Sequence, residues 1–197
     1  MLEEMKVLSI CGSPRRGNSE AILNKLKEFL EEKGVENKII LLRTKNIHRC
    51  DGCVEYCNKH LKCRYRDDMD EILEEILQAD GLVFAMPNYF AMPPGIFKDF
   101  IDRCSVLYTS YEFTKKPDLS NKKAVVITVG TDKEFVTACK NYIAKWFCET
   151  LRLKVVAKEG FLSRSELKGN YNDIFENSLN PDILERLRAI AEALASP

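Results

Sequence analysis

The sequence lacks a net charge: thirty lysines and arginines are matched by thirty aspartates and glutamates over 197 residues. With no field of one sign to recruit a polyanion, neither nucleic acid nor an anionic membrane is expected as a partner. Long apolar runs are also missing. The opening MLEEMKVLSIC sets two glutamates before a short apolar stretch, which suits neither a secretory signal nor a membrane span, so a cytoplasmic location is expected. Histidine is scarce: only His48 and His60 occur, both beside a cysteine-rich stretch, and both are read as surface residues rather than catalytic ones. Two phosphate fingerprints are absent as well. Neither Gly-x-Gly-x-x-Gly nor a Walker Gly-Lys-Ser/Thr ending occurs, which removes support for a Rossmann NAD site and for ATP hydrolysis. There is no internal repeat and no low-complexity linker.

What is present suits one soluble domain over residues 1–197, with 45% hydrophobic residues for the core and an insertion at about 43–68. Five short apolar runs stand out: Lys6 to Cys11, Lys38 to Leu42, Gly81 to Met86, Ala124 to Val129 and Leu153 to Ala157. They are almost continuous in Val, Ile and Leu, the pattern of parallel strands covered on both faces. Helical stripes separate them: Ile22, Leu26, Phe29 and Leu30; Ile72, Leu73, Ile76 and Leu77; Ile96, Phe97, Phe100, Ile101 and Cys104; Phe135, Cys139, Tyr142, Ile143 and Trp146. Asn180 and Pro181 announce a last helix carrying Ile183, Leu184, Leu187, Ile190 and Leu194. The alternation predicts an α/β, doubly wound, five-stranded parallel sheet with helices on both faces. In the flavodoxin-like order 2-1-3-4-5, a ligand sits beyond the carboxyl ends of the first and third strands.

The loops at those two ends are unusual. After the first strand comes Gly12-Ser13-Pro14-Arg15-Arg16-Gly17-Asn18-Ser19 and then a helix start. Ser13, Asn18 and Ser19 offer donors, Arg15 and Arg16 offer charge, and Gly17 allows close backbone approach at a helix N-terminus, which together suit a terminal phosphate. Asn18 or Ser19 serving simply as a helix cap is the plainer alternative. After the third strand, Pro87-Asn88-Tyr89-Phe90-Ala91-Met92-Pro93-Pro94 makes a stiff apolar ledge suited to a flat ring system.

Eight cysteines divide into two kinds. Cys11, Cys104, Cys139 and Cys148 fall at apolar positions and read as buried hydrophobes. Cys50, Cys53, Cys57 and Cys63 crowd into C-x2-C-x3-C-x5-C, which suits an iron–sulfur cluster, zinc with His60 as an optional ligand, or free thiols. A disulfide is disfavoured in a reducing compartment.

The segment GSPRRGNS after a first strand resembles the phosphate loop of the NADPH-dependent FMN reductase family. Cysteines between the second strand and the acidic Asp67-Asp68-Met69-Asp70 resemble the iron–sulfur flavoproteins within it, and the likeness runs over most of the chain. One departure is visible, because Val54, Glu55 and Tyr56 separate the second and third cysteines where the usual motif has two residues. The resemblance implies a flavodoxin-like fold, bound FMN, and an isoalloxazine bordered by Pro87, Asn88, Tyr89 and Phe90, with Thr128, Gly130 and Thr131 in a third flavin loop. It also implies a 4Fe–4S cluster on Cys50, Cys53, Cys57 and Cys63 passing single electrons to FMN. Ferredoxin or NAD(P)H would be the donor, a small oxidant the acceptor, and a homodimer or homotetramer the assembly. Chemistry would reside on the flavin, with no catalytic side chain. An NAD(P)H-dependent FMN reductase lacking a cluster and a non-enzymatic zinc- or FMN-binding regulatory module are the alternatives.

Overall fold

In the computed structural model, which describes residues 5–163 and 180–196, each apolar run is a strand of one sheet. The strands are β1 (Lys6–Cys11), β2 (Glu36–Leu41), β3 (Gly81–Pro87), β4 (Lys123–Gly130) and β5 (Lys154–Leu162). Their order is β2-β1-β3-β4-β5 and every neighbouring pair is parallel, as expected for the flavodoxin-like fold. Among the described residues the helices are α1 (Asn18–Glu31), α2 (Val54–His60), α3 (Met69–Gln78), α4 (Gly95–Arg103), α5 (Ser105–Thr114), α6 (Lys133–Ile143) and α7 (Pro181–Ala195). Met1–Glu4, on which the reading of the opening segment partly rests, lie outside the described residues. No described helix is long and apolar enough to cross a membrane.

Side chains alternate across the central strands with the two-residue period of a pleated sheet. Leu8, Ile10, Leu82, Phe84, Met86, Ala124 and Val126 point to one face, where Ile72 and Ile76 of α3 and Phe97 and Phe100 of α4 cover them. Val7, Cys11, Val83, Ala85, Val125, Ile127 and Val129 point to the other, under Ile22, Leu23 and Leu26 of α1 and Leu187, Ile190 and Leu194 of α7. Both faces are therefore dry, which is why the strands read as unbroken apolar runs. Asn180 caps α7 by accepting a hydrogen bond from the Asp182 N–H at 3.0 Å.

The stripe assigned to the helix after β4 is corrected. Phe135 and Trp146 are exposed, while Val136, Cys139, Ile143 and Phe147 are buried. The buried residues keep a regular spacing of three and four, with Val136 and Phe147 each one place along from Phe135 and Trp146; the last turn, Ala144–Cys148, is π-helical. Phe147 joins Phe84, at 5.2 Å between ring centroids, and Phe100, at 5.8 Å, in edge-on contact.

Lys122, just before β4, and Lys123, its first residue, fasten the helical layers. Lys122 Nζ donates to the Leu77 carbonyl at the end of α3 at 2.8 Å, and Lys123 Nζ donates to the Ala193 carbonyl of α7 at 3.1 Å. Each cation meets the negative end of a helix dipole.

Candidate flavin and cysteine site

Gly12 leaves β1 by donating its N–H to the Ala85 carbonyl at 2.8 Å. A Cβ at Gly12 would stand 2.4 Å from Phe97 Cδ2, so only glycine lets the loop pass over that ring. The turn that follows is closed by Ser13 Oγ, which donates to the Arg15 carbonyl at 2.7 Å. Arg15 and Arg16 are exposed, whereas Gly17, Asn18 and Ser19 are buried. Gly17 is the N-cap of α1 and no side chain caps the helix there, so the cap reading of Asn18 and Ser19 is set aside: both are first-turn residues. The first N–H groups of a helix have no intrahelical acceptor and carry the positive end of its dipole. That donor set fits a phosphate. Glu20, also in the first turn, would oppose it, but pairs with Arg43 at 2.9 Å. In the sequence Arg43 carries no signal beyond its place two residues after β2.

At the end of β3, Asn88 donates its backbone N–H at 2.9 Å and its side-chain Nδ2 at 3.3 Å to the Val129 carbonyl of β4. Its amide occupies the space above Gly130, where a Cβ would come within 1.8 Å of Nδ2. The loops after β3 and β4 are thus locked together. Reciprocal hydrogen bonds between Tyr89 and Met92, at 2.8 and 3.1 Å, close a tight turn in which Phe90 and Ala91 take φ of 51° and 63°. Two consecutive non-glycine residues in that region are a strained arrangement of the kind found at ligand clamps. Phe90 is 91% exposed and Tyr89 46%. Pro87 ends the strand half-buried. Thr128 is fully buried and its hydroxyl donates to the Val136 carbonyl at 2.9 Å, so that donor ties β4 to α6, while Gly130 and the exposed Thr131 follow at the strand's mouth.

The cysteine segment is not an unstructured loop. Its two ends are joined: Asn46 N–H donates to Asp68 at 2.7 Å, His48 N–H to Asp67 at 2.8 Å, and Asp68 N–H to the Asn46 carbonyl at 3.2 Å. The His48 ring stacks on Tyr65 at 3.6 Å, and the Tyr65 hydroxyl donates to Asp51 at 2.9 Å, which also pairs with Arg64. Cys53 is the N-cap of α2 and Cys57 lies one turn on, so the extra residue in the motif is absorbed by a helical turn that brings both thiols to one face. Ser110 of α5 donates to the Leu61 carbonyl just past α2 at 3.2 Å. All four cysteines line one small cavity, closed by Tyr65, Arg103 and Val106. The Cys57 thiol is pushed up to about 11 by burial first and then by the neighbouring Cys53, Cys63 and Cys50. His60 lies outside that lining, exposed, with its ring 4.3 Å from Tyr56. As the side chains lie, no three His, Cys, Asp or Glu residues among those described stand at metal-binding geometry.

Arg103, at the end of α4, braces this segment. Nη1 donates to Asp67 at 2.6 Å and to the His48 carbonyl at 2.8 Å, and Nη2 donates to Asp67 at 3.0 Å. Both side chains are buried, with exposures of 1% and 6%. Burial would raise the Asp67 carboxyl, but hydrogen bonds from Arg103 and from the His48 and Met69 N–H groups outweigh it and hold the group below the usual carboxylate range. A second tie runs from Arg49 to Asp99 of α4 at 3.0 Å. The cysteine segment itself leaves the carboxyl end of β2 and leads into the start of α3, so its two ends lie at the rim where the parallel strands end. The other four cysteines are inert by burial: it raises the thiols of Cys11, Cys104 and Cys148, and that of Cys139 to about 12.

The sheet order and the loops at its switch point define a flavodoxin-like protein. The sequence profile of the NADPH-dependent FMN reductase family matches residues 5–166, and the chain belongs to that family. An iron–sulfur flavoprotein of Archaeoglobus fulgidus is 38% identical over 128 residues, covering 64% of this chain and 63% of the relative. One from Methanocaldococcus jannaschii is 33% identical over 130 residues, covering 66% and 64%. In both, the match spans less than two thirds of the relative's length. Among solved structures, the NAD(P)H:quinone oxidoreductase of Methanothermobacter marburgensis superposes with a TM-score of 0.72 at 18% identity, covering 98% of each chain, which is a likeness of fold.

Proposed function

We propose that the chain is an FMN-dependent oxidoreductase whose cysteine segment carries a 4Fe–4S cluster. The observation that carries the reading is the single cavity lined by Cys50, Cys53, Cys57 and Cys63 and braced to α4, the helix that leaves the β3 loop. FMN supplies one- and two-electron chemistry when bound. The first-turn N–H groups of α1, with Ser13, Asn18, Ser19, Arg15 and Arg16, bind its phosphate, and Gly17 admits it to the backbone. Pro87, Asn88, Tyr89 and Phe90 border its ring, with Gly130 and Thr131 beside them; Thr128 supports the strand beneath. Four thiolates match the ligand set of a cubane cluster, and their charge is offset by the metal. Ferredoxin or NAD(P)H donates electrons, a small oxidant accepts them, and the protein works in the cytoplasm as a homodimer or homotetramer.

The spacing of the thiols favours a second reading, an NAD(P)H-dependent FMN reductase without a cluster. An absorption spectrum of anaerobically purified protein, with iron and acid-labile sulfide assays, separates the two. Flavin bands with about four irons per chain support the cluster; flavin bands without iron or sulfide support the reductase.

A further inference from the structure

Most of the Arg103 fork is satisfied by protein. Asp67 takes one hydrogen bond from each terminal nitrogen, and the His48 carbonyl takes a second from Nη1. Nε differs: it is buried and has no acceptor. A buried N–H without a partner is costly, of order 1–3 kcal/mol, and marks a place where another group completes the arrangement. Arg103 lines the same cavity as the four cysteines, and Cys63 is the thiol close enough to interact with its guanidinium. Cys63 is itself only 9% exposed, so solvent does little to weaken that interaction.

We infer that Arg103 is a positioning residue that sets the reduction potential of a cluster held by the cysteine cavity, acting on the Cys63 sulfur through its unpartnered Nε–H. The inference rests on the function proposed above and adds to it a residue that is not a ligand. Hydrogen bonds to cluster sulfurs stabilise the more negative, reduced state and raise the potential. Asp67 grips the guanidinium by its two outer nitrogens, fixing its plane and leaving the edge that carries Nε–H and the second Nη2 hydrogen free to donate. Arginine stays protonated throughout the working pH range, so the donor is permanent.

The test is a redox titration of anaerobically purified holoprotein, followed by the cluster's paramagnetic resonance signal. Three proteins are compared: wild type, Arg103→Lys, and the double variant Arg103→Met/Asp67→Asn, which leaves no buried charge unpaired. At the wild-type midpoint, the ratio of reduced to oxidised cluster should fall about tenfold in the double variant, equivalent to about 59 mV for one electron. It should fall less in Arg103→Lys, while the flavin potential stays in place. A merely structural role would reduce the fraction of loaded protein without moving the potential of what remains loaded. An unchanged cluster potential in a loaded variant overturns the inference alone. Wild-type protein without iron and sulfide overturns the cluster reading and this inference with it. If the double variant does not fold, the Arg103→Lys titration decides.

Discussion

Cys53 and Cys57 sit one helical turn apart, the first as the N-cap of α2 and the second within it. Residues four apart share a helix face, so the three-residue gap delivers two thiols to the same cavity. Substituting either with serine should remove iron and acid-labile sulfide and leave the flavin bands intact. Iron content unchanged in Cys57→Ser would show that the helical turn does not present a ligand.

The phosphate loop and the cysteine cavity are separate structures, so they should fail separately. Arg15→Ala combined with Ser19→Ala should weaken FMN binding at least tenfold, about 1.4 kcal/mol, for the loss of a charge and a hydroxyl. Fluorescence titration of apoprotein with FMN measures this, and an affinity equal to wild type would remove the loop from the flavin site.

Gly12 has no room for a side chain, because a Cβ would meet Phe97 at 2.4 Å. Gly12→Ala should therefore destabilise the fold by about 1–3 kcal/mol through overpacking. A thermal melt should shift down by roughly 2–12 °C, and an unaltered melt would mean that the Phe97 ring can turn aside at no cost.

Asp67 links stability to acid. Its folded-state carboxyl lies below the usual range, so its contribution is present above about pH 4, the ordinary unfolded value, and is lost as the pH falls through the folded value. Asp67→Asn leaves Arg103 without its counter-charge and should cost about 3 kcal/mol at pH 7. The gap to wild type should narrow below pH 4. Urea unfolding at pH 7 and pH 3.5 provides both numbers; a gap that widens in acid would contradict the sign.

The strands were legible because both sheet faces are covered, which writes their positions as unbroken apolar runs. The loop after β1 and the cysteine group stand out in the sequence because unusual residues are contiguous there. The pairing of Arg103 with Asp67 was not legible: they lie 36 residues apart, and an arginine ending an amphipathic helix ordinarily faces water. Phe135 and Trp146 misled for another reason: two stripes one residue apart both fit a helical period here, and it is the neighbours Val136 and Phe147 that enter the core. The short helix α2 was hidden within the cysteine segment, its seven residues too few to show a stripe.

Lys122 and Lys123 are neighbours in sequence, yet they grip α3 and α7. These helices lie on opposite faces of the sheet, so one dipeptide staples both sides at the rim where β4 begins, away from the Gly130 end where the loops after β1 and β3 lie. The molecule thereby divides its labour between two rims. The first rim anchors the helical layers, while the cysteine segment leaves β2 and rejoins the fold at α3 along the second.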